Sequence, residues 1–223
     1  MNLIYATGVL SLIVQIVVGV IDFFVLTLTV PSSFMLVHDL LVMEFIVQVI
    51  EFSFYFWMVS KFNVIKNITP IRYYDWVITT PTMLISFIFY LKFLRDQEQN
   101  IKSESLLTEL KNKWKLVLNV LLLNWAMLFA GYLGEQNIFS YLATTLVGFV
   151  PFLMMFYIIY KNFAVHTDEG RKIFWYFSIV WGIYGIAALL PYKIKNSMYN
   201  ILDLFAKNFF GLFLAYVLYK VKH

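Results

Sequence analysis

The chain has no cysteine, five prolines, nine glycines and three histidines, and only 13% of its residues are charged. Without cysteine there can be no disulfide, thiol nucleophile, thiolate zinc site or iron–sulfur cluster. The histidines, at 38, 166 and 223, are too scattered to suggest a metal site, and no catalytic set of an enzyme is visible. The charge deficit is the larger exclusion. A soluble domain is about one quarter charged and half apolar, whereas this chain is 61% hydrophobic with a mean hydropathy of +0.77. It reads as a multi-pass membrane protein with the lipid bilayer as its solvent. The net charge of +4 would suggest nucleic acid in a soluble protein. Here the bases fall in loops, so no nucleic-acid partner is expected.

What is present is a series of apolar runs long enough to cross a bilayer, which takes about 20 residues per helix. Seven are expected, at roughly 3–29, 34–60, 71–93, 115–133, 138–161, 172–192 and 198–219. They make one all-α domain over residues 1–223, with the polar run Arg95 to Lys113 as an amphipathic or mobile loop. No basic stretch or cleavage pattern surrounds the first run, so residue 1 is expected to begin the mature chain. Lys92, Arg95, Lys102, Lys111, Lys113, Lys115, Lys161, Arg171, Lys172, Lys220 and Lys222 collect on one side of this topology. Only Lys61, Lys66, Lys193 and Lys195 fall on the other. Positive-inside bias then predicts an extracellular N-terminus and a cytoplasmic C-terminus.

Two charged patterns interrupt the runs. The seventh carries Asp203 and Lys207, four residues apart and so on one helical face. A charge at mid-bilayer costs about 2.5–3.5 kcal/mol on insertion scales, and such residues are usually functional. The third carries Arg72, Asp75, Trp76, Thr79 and Met83 along one face, with Thr80 and Pro81 beside them.

Arg72-Tyr73-x-Asp75-Trp76-x-x-Thr79-Thr80-Pro81, with Asp203-x-x-x-Lys207-x-x-x-Gly211, closely resembles the microbial (type 1) rhodopsins. Trp181-x-x-Tyr184 resembles their ring-clamping pair, and Gly131-Tyr132-Leu133-Gly134-Glu135 is similar to the same region of proteorhodopsins. The resemblance covers all seven runs. It implies a seven-helix retinal-binding bundle with all-trans-retinal joined to Lys207 as a Schiff base. It further implies Asp75 and Asp203 as counterions with Arg72 below them, and a pocket walled by Trp76, Thr79, Thr80, Met83, Trp181 and Tyr184. Ser86 stands where efficient proton pumps have a donor carboxylate, and Gly185 replaces the usual proline after the clamping tyrosine.

The first two runs hold polar residues that a simple pump does not need. Ser11, Gln15 and Asp22 fall within roughly 40° on one helix, and Glu44, Gln48 and Glu51 within roughly 60° on the next. The Pro31-Ser32-Ser33 turn makes these helices antiparallel. Ser11 then comes level with Glu51, Gln15 with Gln48, and Asp22 with Glu44, and Asn208 and Asn200 extend the lining. Five interior carboxylates (Asp22, Glu44, Glu51, Asp75, Asp203) face two cations (Arg72, Lys207), a formal charge of minus three that favours cations over anions. The combination of Asp75, Thr79 and Ser86 in a short chain with Glu44 and Glu51 most resembles the viral rhodopsins of group 1, which implies a light-gated channel for monovalent cations such as Na+ and K+, with Ca2+ as a modulator. An outward proton pump and a sensory rhodopsin are the alternatives. Homo-oligomer formation stays open, and a viral source would put the protein in a host cell membrane.

Overall fold

The computed structural model describes residues 2–222; His223 and the Lys222 side chain, both counted above, lie outside the described residues. Seven rods form among these: α1 (Leu3–Leu26), α2 (Met35–Ser60), α3 (Thr69–Glu98), α4 (Leu106–Glu135), α5 (Tyr141–Asn162) and α6 (Asp168–Ala187), then a last rod. That rod, α7, runs Tyr192–Asp203, widens into a π-helical turn at Leu204–Asn208, and continues as Phe209–Lys222. Side-chain oxygens of Asn2, Ser105, Ser140 and Thr167 accept from backbone N–H groups of the first turns of α1, α4, α5 and α6. Asn100 and Asn137 end α3 and α4 in left-handed conformation. There the N–H of Ile101 reaches the Asp96 carbonyl at 2.8 Å, and that of Ile138 reaches Leu133 at 3.1 Å, which closes each helix on its own last carbonyls.

Six of the seven rods are long and apolar enough to cross a membrane on their own; α6 is not, because Asp168, Glu169, Arg171 and Lys172 occupy its first turns. Each rod packs on its neighbours in chain order and α7 returns to α1, so the ring is closed, with α3 also touching α6 across it. The α3 rod is the most enclosed, and α1 and α4 turn most of their apolar surface outward.

Several expected boundaries move. Helix one stops at Leu26 and not at 29, and α6 and α7 begin four and six residues earlier than expected. The largest correction is the run Arg95–Lys113. It is mostly helix, because Lys92 on α3 lies 2.5 Å from Asp96 and 2.6 Å from Glu109 of α4, and Ser103 donates to Asp96 at 3.2 Å. Opposite charges that look like a solvated loop in one dimension clasp the α3–α4 hairpin in three.

Pro81 sits within α3 and has no N–H for the carbonyl of Val77, one turn back. The indole Nε1 of Trp125 on α4 donates to that carbonyl at 3.1 Å. A hydrogen bond from a neighbouring helix thus replaces the missing one, which is how membrane helices tolerate proline.

Candidate functional site

The π-helical turn places the lysine. Its widened ring takes the N–H of Phe209 to the carbonyl of Leu204, and the Asn208 amide donates to the carbonyl of Asp203 at 3.4 Å. Such turns are rare and recur at functional sites. Lys207 inside it is buried at the centre of the ring. Its Nζ donates to Asp75 Oδ2 at 2.7 Å and has Glu51 Oε1 at 3.5 Å and Asp203 Oδ1 at 3.8 Å. Lys207, Asp75 and Asp203 therefore converge as expected. Glu51 arrives in the same cluster, so it belongs as much to the lysine as to the α1–α2 stripe.

Asp203 is held from both sides. Tyr55 donates to Oδ2 at 2.7 Å and Tyr184 to Oδ1 at 2.6 Å, with Arg72 Nη1 at 3.8 Å. Arg72 has its donors occupied: Asn196 accepts through Oδ1 at 3.1 Å and its carbonyl at 3.3 Å, Tyr55 accepts at 3.4 Å, and Asn200 Oδ1 also accepts. Its guanidinium also lies over the rings of Phe54, Tyr55 and Tyr199. Asn200 in turn donates to the Ile4 carbonyl and the Thr7 hydroxyl of α1. It belongs to this plug below the lysine and only indirectly to the stripe. A buried guanidinium needs this saturation, because each unsatisfied donor would carry its full desolvation cost.

Above the carboxylates lies an apolar cavity of about 800 Å3, counting the part open to the outside. Trp76, Thr80, Met83, Trp181 and Tyr184 line it, with Lys207 and Asp203 at its polar end. Trp76 meets Tyr184 and Tyr199 edge-on at 5.7 and 5.1 Å, and Trp181 leans on Phe177 at 5.3 Å. Thr79 points elsewhere: its hydroxyl donates to the Asp75 carbonyl at 2.9 Å, so it steadies the backbone under Asp75 and is not part of the cavity lining. Thr80 donates to the Trp76 carbonyl at 2.7 Å and accepts from Asn124 of α4 at 2.8 Å. Tyr55, Tyr199, Asn196 and Asn124 escaped sequence reading. Tyr55 had a signal, being one turn after Glu51 on the same face; the asparagines had none. A second buried pair, Lys195–Glu135 at 2.8 Å with Tyr141 beneath the ammonium, ties α7 to α4 and α5. In the Asn67-Ile68-Thr69 sequon Asn67 is exposed while Thr69 is fully buried, with Asn196 donating to its hydroxyl.

The α1–α2 stripe assembles as the helical faces require. Ser11, Gln15, Asp22, Glu44, Gln48, Glu51 and Asn208 are all 0–3% exposed. Ser11 donates to the Asn200 carbonyl at 2.8 Å and Asn208 to Glu51 at 3.3 Å. Among the described residues, Gln15, Asp22, Glu44 and Gln48 have no hydrogen-bond partner on any side-chain nitrogen or oxygen. Ser86 lies beside the Glu44 carboxyl but gives its proton to the Thr82 carbonyl at 3.2 Å.

A closed ring of seven membrane helices, with one buried lysine between carboxylates at the end of an aromatic-walled apolar cavity, defines a seven-helix photoreceptor of the retinal-binding kind. The family model described as Bacteriorhodopsin-like protein matches residues 4–221, and the chain belongs to that family of microbial rhodopsins. Its fold is similar to that of the viral rhodopsin OLPVRII, at 26% identity over 99% of both chains with a TM-score of 0.85. It is also similar to a blue light-absorbing proteorhodopsin from Med12 (21% identity, 98% of both chains, TM-score 0.76). Xanthorhodopsin, described as a light-driven ion pump with dual chromophore, shares the fold at 17% identity over 99% of this chain and 93% of its own, with a TM-score of 0.74. No curated protein sequence matches the chain. Family membership implies a retinal chromophore and light-driven ion transport or photoreception. The residues fit that group, since the cavity is apolar along its walls and carries its one amine, Lys207, at the polar end.

Proposed function

We propose that the chain is one seven-helix domain acting as a light-gated cation channel, with all-trans-retinal carried on Lys207. The observation that supports a channel most is the α1–α2 stripe. Seven buried polar side chains run along it, and two of its carboxylates, Asp22 and Glu44, have no cation paired to them. Hydrogen-bond glue between membrane helices satisfies its own polar atoms, whereas this stripe leaves most of its atoms unsatisfied. A negative lining of this kind lowers the barrier to cations and raises it to anions.

The residues divide the work. Asp75, Asp203 and Glu51 hold positive charge on the Lys207 nitrogen, and Asp75, the nearest, is the first to take its proton. Arg72 offsets part of the negative charge, and Tyr55 and Tyr184 fix Asp203. Trp76, Trp181 and Tyr184 are rigid walls that turn a change of shape in the cavity into a push on α6 and α7. Retinal, when bound, supplies the absorption of visible light and that change of shape. The path is shut in this conformation, because the stripe leaves no water-wide opening. Arg72, Leu40, Leu41, Ile88, Leu214 and Leu218 are likewise fully buried and leave no surface open to water. The orientation that the lysine and arginine bias supports puts the arginine end outside the cell and the C-terminus inside.

An outward proton pump is favoured by one specific contact. Glu44 faces Ser86, so a carboxyl on α2 stands near the place where pumps carry a donor on α3. Whole-cell voltage clamp under illumination, with external ions exchanged, separates the two. A current whose reversal potential follows the Na+ or K+ gradient supports the channel. An outward current that persists against the gradient at every voltage supports the pump.

A further inference from the structure

One point in the bundle gathers the unpartnered groups. Gly211 of α7 faces α1 and α2, and a methyl group built on it would lie 2.9 Å from Asp22 Oδ2, 3.7 Å from Gln48 Nε2 and 3.7 Å from the Glu44 Cβ. Three helices therefore bring a carboxylate, an amide and the stem of a second carboxylate within 4 Å of one place. Gln15, two turns before Asp22 on the same face of α1, carries a second amide further along the stripe. Gln15 and Gln48 are 2% and 3% exposed, and neither finds a partner for its oxygen or its nitrogen. The carboxylates of Asp22 and Glu44 are as isolated, and among the described residues no lysine or arginine forms an ion pair with them.

Leaving such groups bare is costly. An unpaired amide costs about 1–3 kcal/mol, and an isolated buried carboxylate costs far more. Asp22, Glu44 and Gln48 supply carboxylate and amide oxygens, the ligand set that hard cations take. The polar atoms have almost no surface that a water-sized sphere can reach. A dehydrated ion needs less room, since oxygen ligands sit about 2.3–2.6 Å from Ca2+, against about 2.7–3.0 Å between oxygens in a hydrogen bond.

We propose that Asp22, Glu44 and Gln48 form a binding site for one small hard cation, Na+ or Ca2+, and that Gly211 keeps the room for it. The inference deepens the channel reading by naming a resting site on its path, yet it concerns binding in the dark and not current. Glycine is required at 211 because a methyl there would press on Asp22 Oδ2 and turn the carboxylate out of the site. Gly19, on α1, is the built-in contrast, since a methyl group there would meet nothing within 4 Å.

The test is calorimetric titration of the purified, retinal-loaded protein in the dark with NaCl, KCl or CaCl2, at ionic strength held constant by a bulky organic cation. Infrared spectra of the carboxyl groups are recorded alongside. Saturable binding of Na+ or Ca2+ at one site per chain is expected, with K+ weaker, and the two salts show which ion the site prefers. Gly211→Ala should weaken that binding at least tenfold and Gly19→Ala should leave it as in the parent. Should Gly211→Ala prove colourless and unfolded, Gln48→Leu serves instead, with the same tenfold loss expected. The proposal is overturned if no salt gives saturable heat while the carboxyl bands show Asp22 and Glu44 protonated. It is equally overturned if folded Gly211→Ala or Gln48→Leu binds like the parent. A protein that binds the ion yet pumps under voltage clamp would end the channel reading and leave this site standing.

Discussion

Two polar regions share the interior of this bundle, one turn apart, and they are built on opposite principles. Around Lys207 nearly every charge has a partner: Asp75 and Glu51 face the ammonium, Asp203 takes two tyrosine hydroxyls, and Arg72 spends its donors on asparagines and Tyr55. Between α1 and α2 the carboxyls and amides of Asp22, Glu44, Gln15 and Gln48 have none. A satisfied network is rigid and holds one arrangement, which suits a site that must keep a chromophore's charge in place. An unsatisfied one invites ions or water, which suits a path. The contrast teaches that polarity inside a membrane is not one signal, and on the proposed reading its state of satisfaction separates the switch from the conduit.

The largest break in the comparison is Lys207→Ala. It removes the only amine of the cavity, and reconstitution with retinal should give no visible band. Asp75→Asn comes next. It removes the closest anion, at 2.7 Å, so the absorption maximum should move to the red by a margin easily read in a dark spectrum. Glu51→Gln tests the border between the regions, because its carboxylate is 3.5 Å from Lys207 and also accepts from Asn208. A smaller red shift than for Asp75→Asn is expected, together with altered photocurrent; a spectrum identical to the parent's would return Glu51 to the stripe alone. Tyr55→Phe should act least. It deletes the hydroxyl's bonds to two charged groups, Asp203 and Arg72, about 1.5–3 kcal/mol each, and should lower the thermal midpoint with only a slight change of colour.

Much of the switch was legible in one dimension, because Arg72, Asp75, Trp76 and Thr79 lie within two helical turns and Asp203 and Lys207 within one. Short spacings on a helix translate directly into a shared face. The α1–α2 stripe was legible for the same reason, helped by the short turn that makes the two helices antiparallel. What joins distant segments was not. The Tyr55–Asp203 and Arg72–Asn196 bonds span more than a hundred residues; the spacing of Tyr55 from Glu51 hints at a shared face but not at its partner, and nothing local marks Asn196. The π-helical turn at Lys207 depends on backbone bonding that composition does not encode. The run from Arg95 to Lys113 misled for an electrostatic reason, since Lys92 and Arg95 offset Asp96 and Glu109 only once α3 and α4 have folded back together. Glu51 was placed on the correct face, but its nearness to Lys207 depends on how α7 packs against α2.

The central claim is that the partnered cluster sets colour and the unpartnered stripe sets transport. Glu44→Gln, which keeps the shape of the side chain and removes only its charge, tests it most directly. The account predicts an absorption maximum within the error of the parent's and, in the same cells under voltage clamp, a light-driven current changed several-fold in size or shifted in reversal potential. A shifted spectrum with an unchanged current would contradict it.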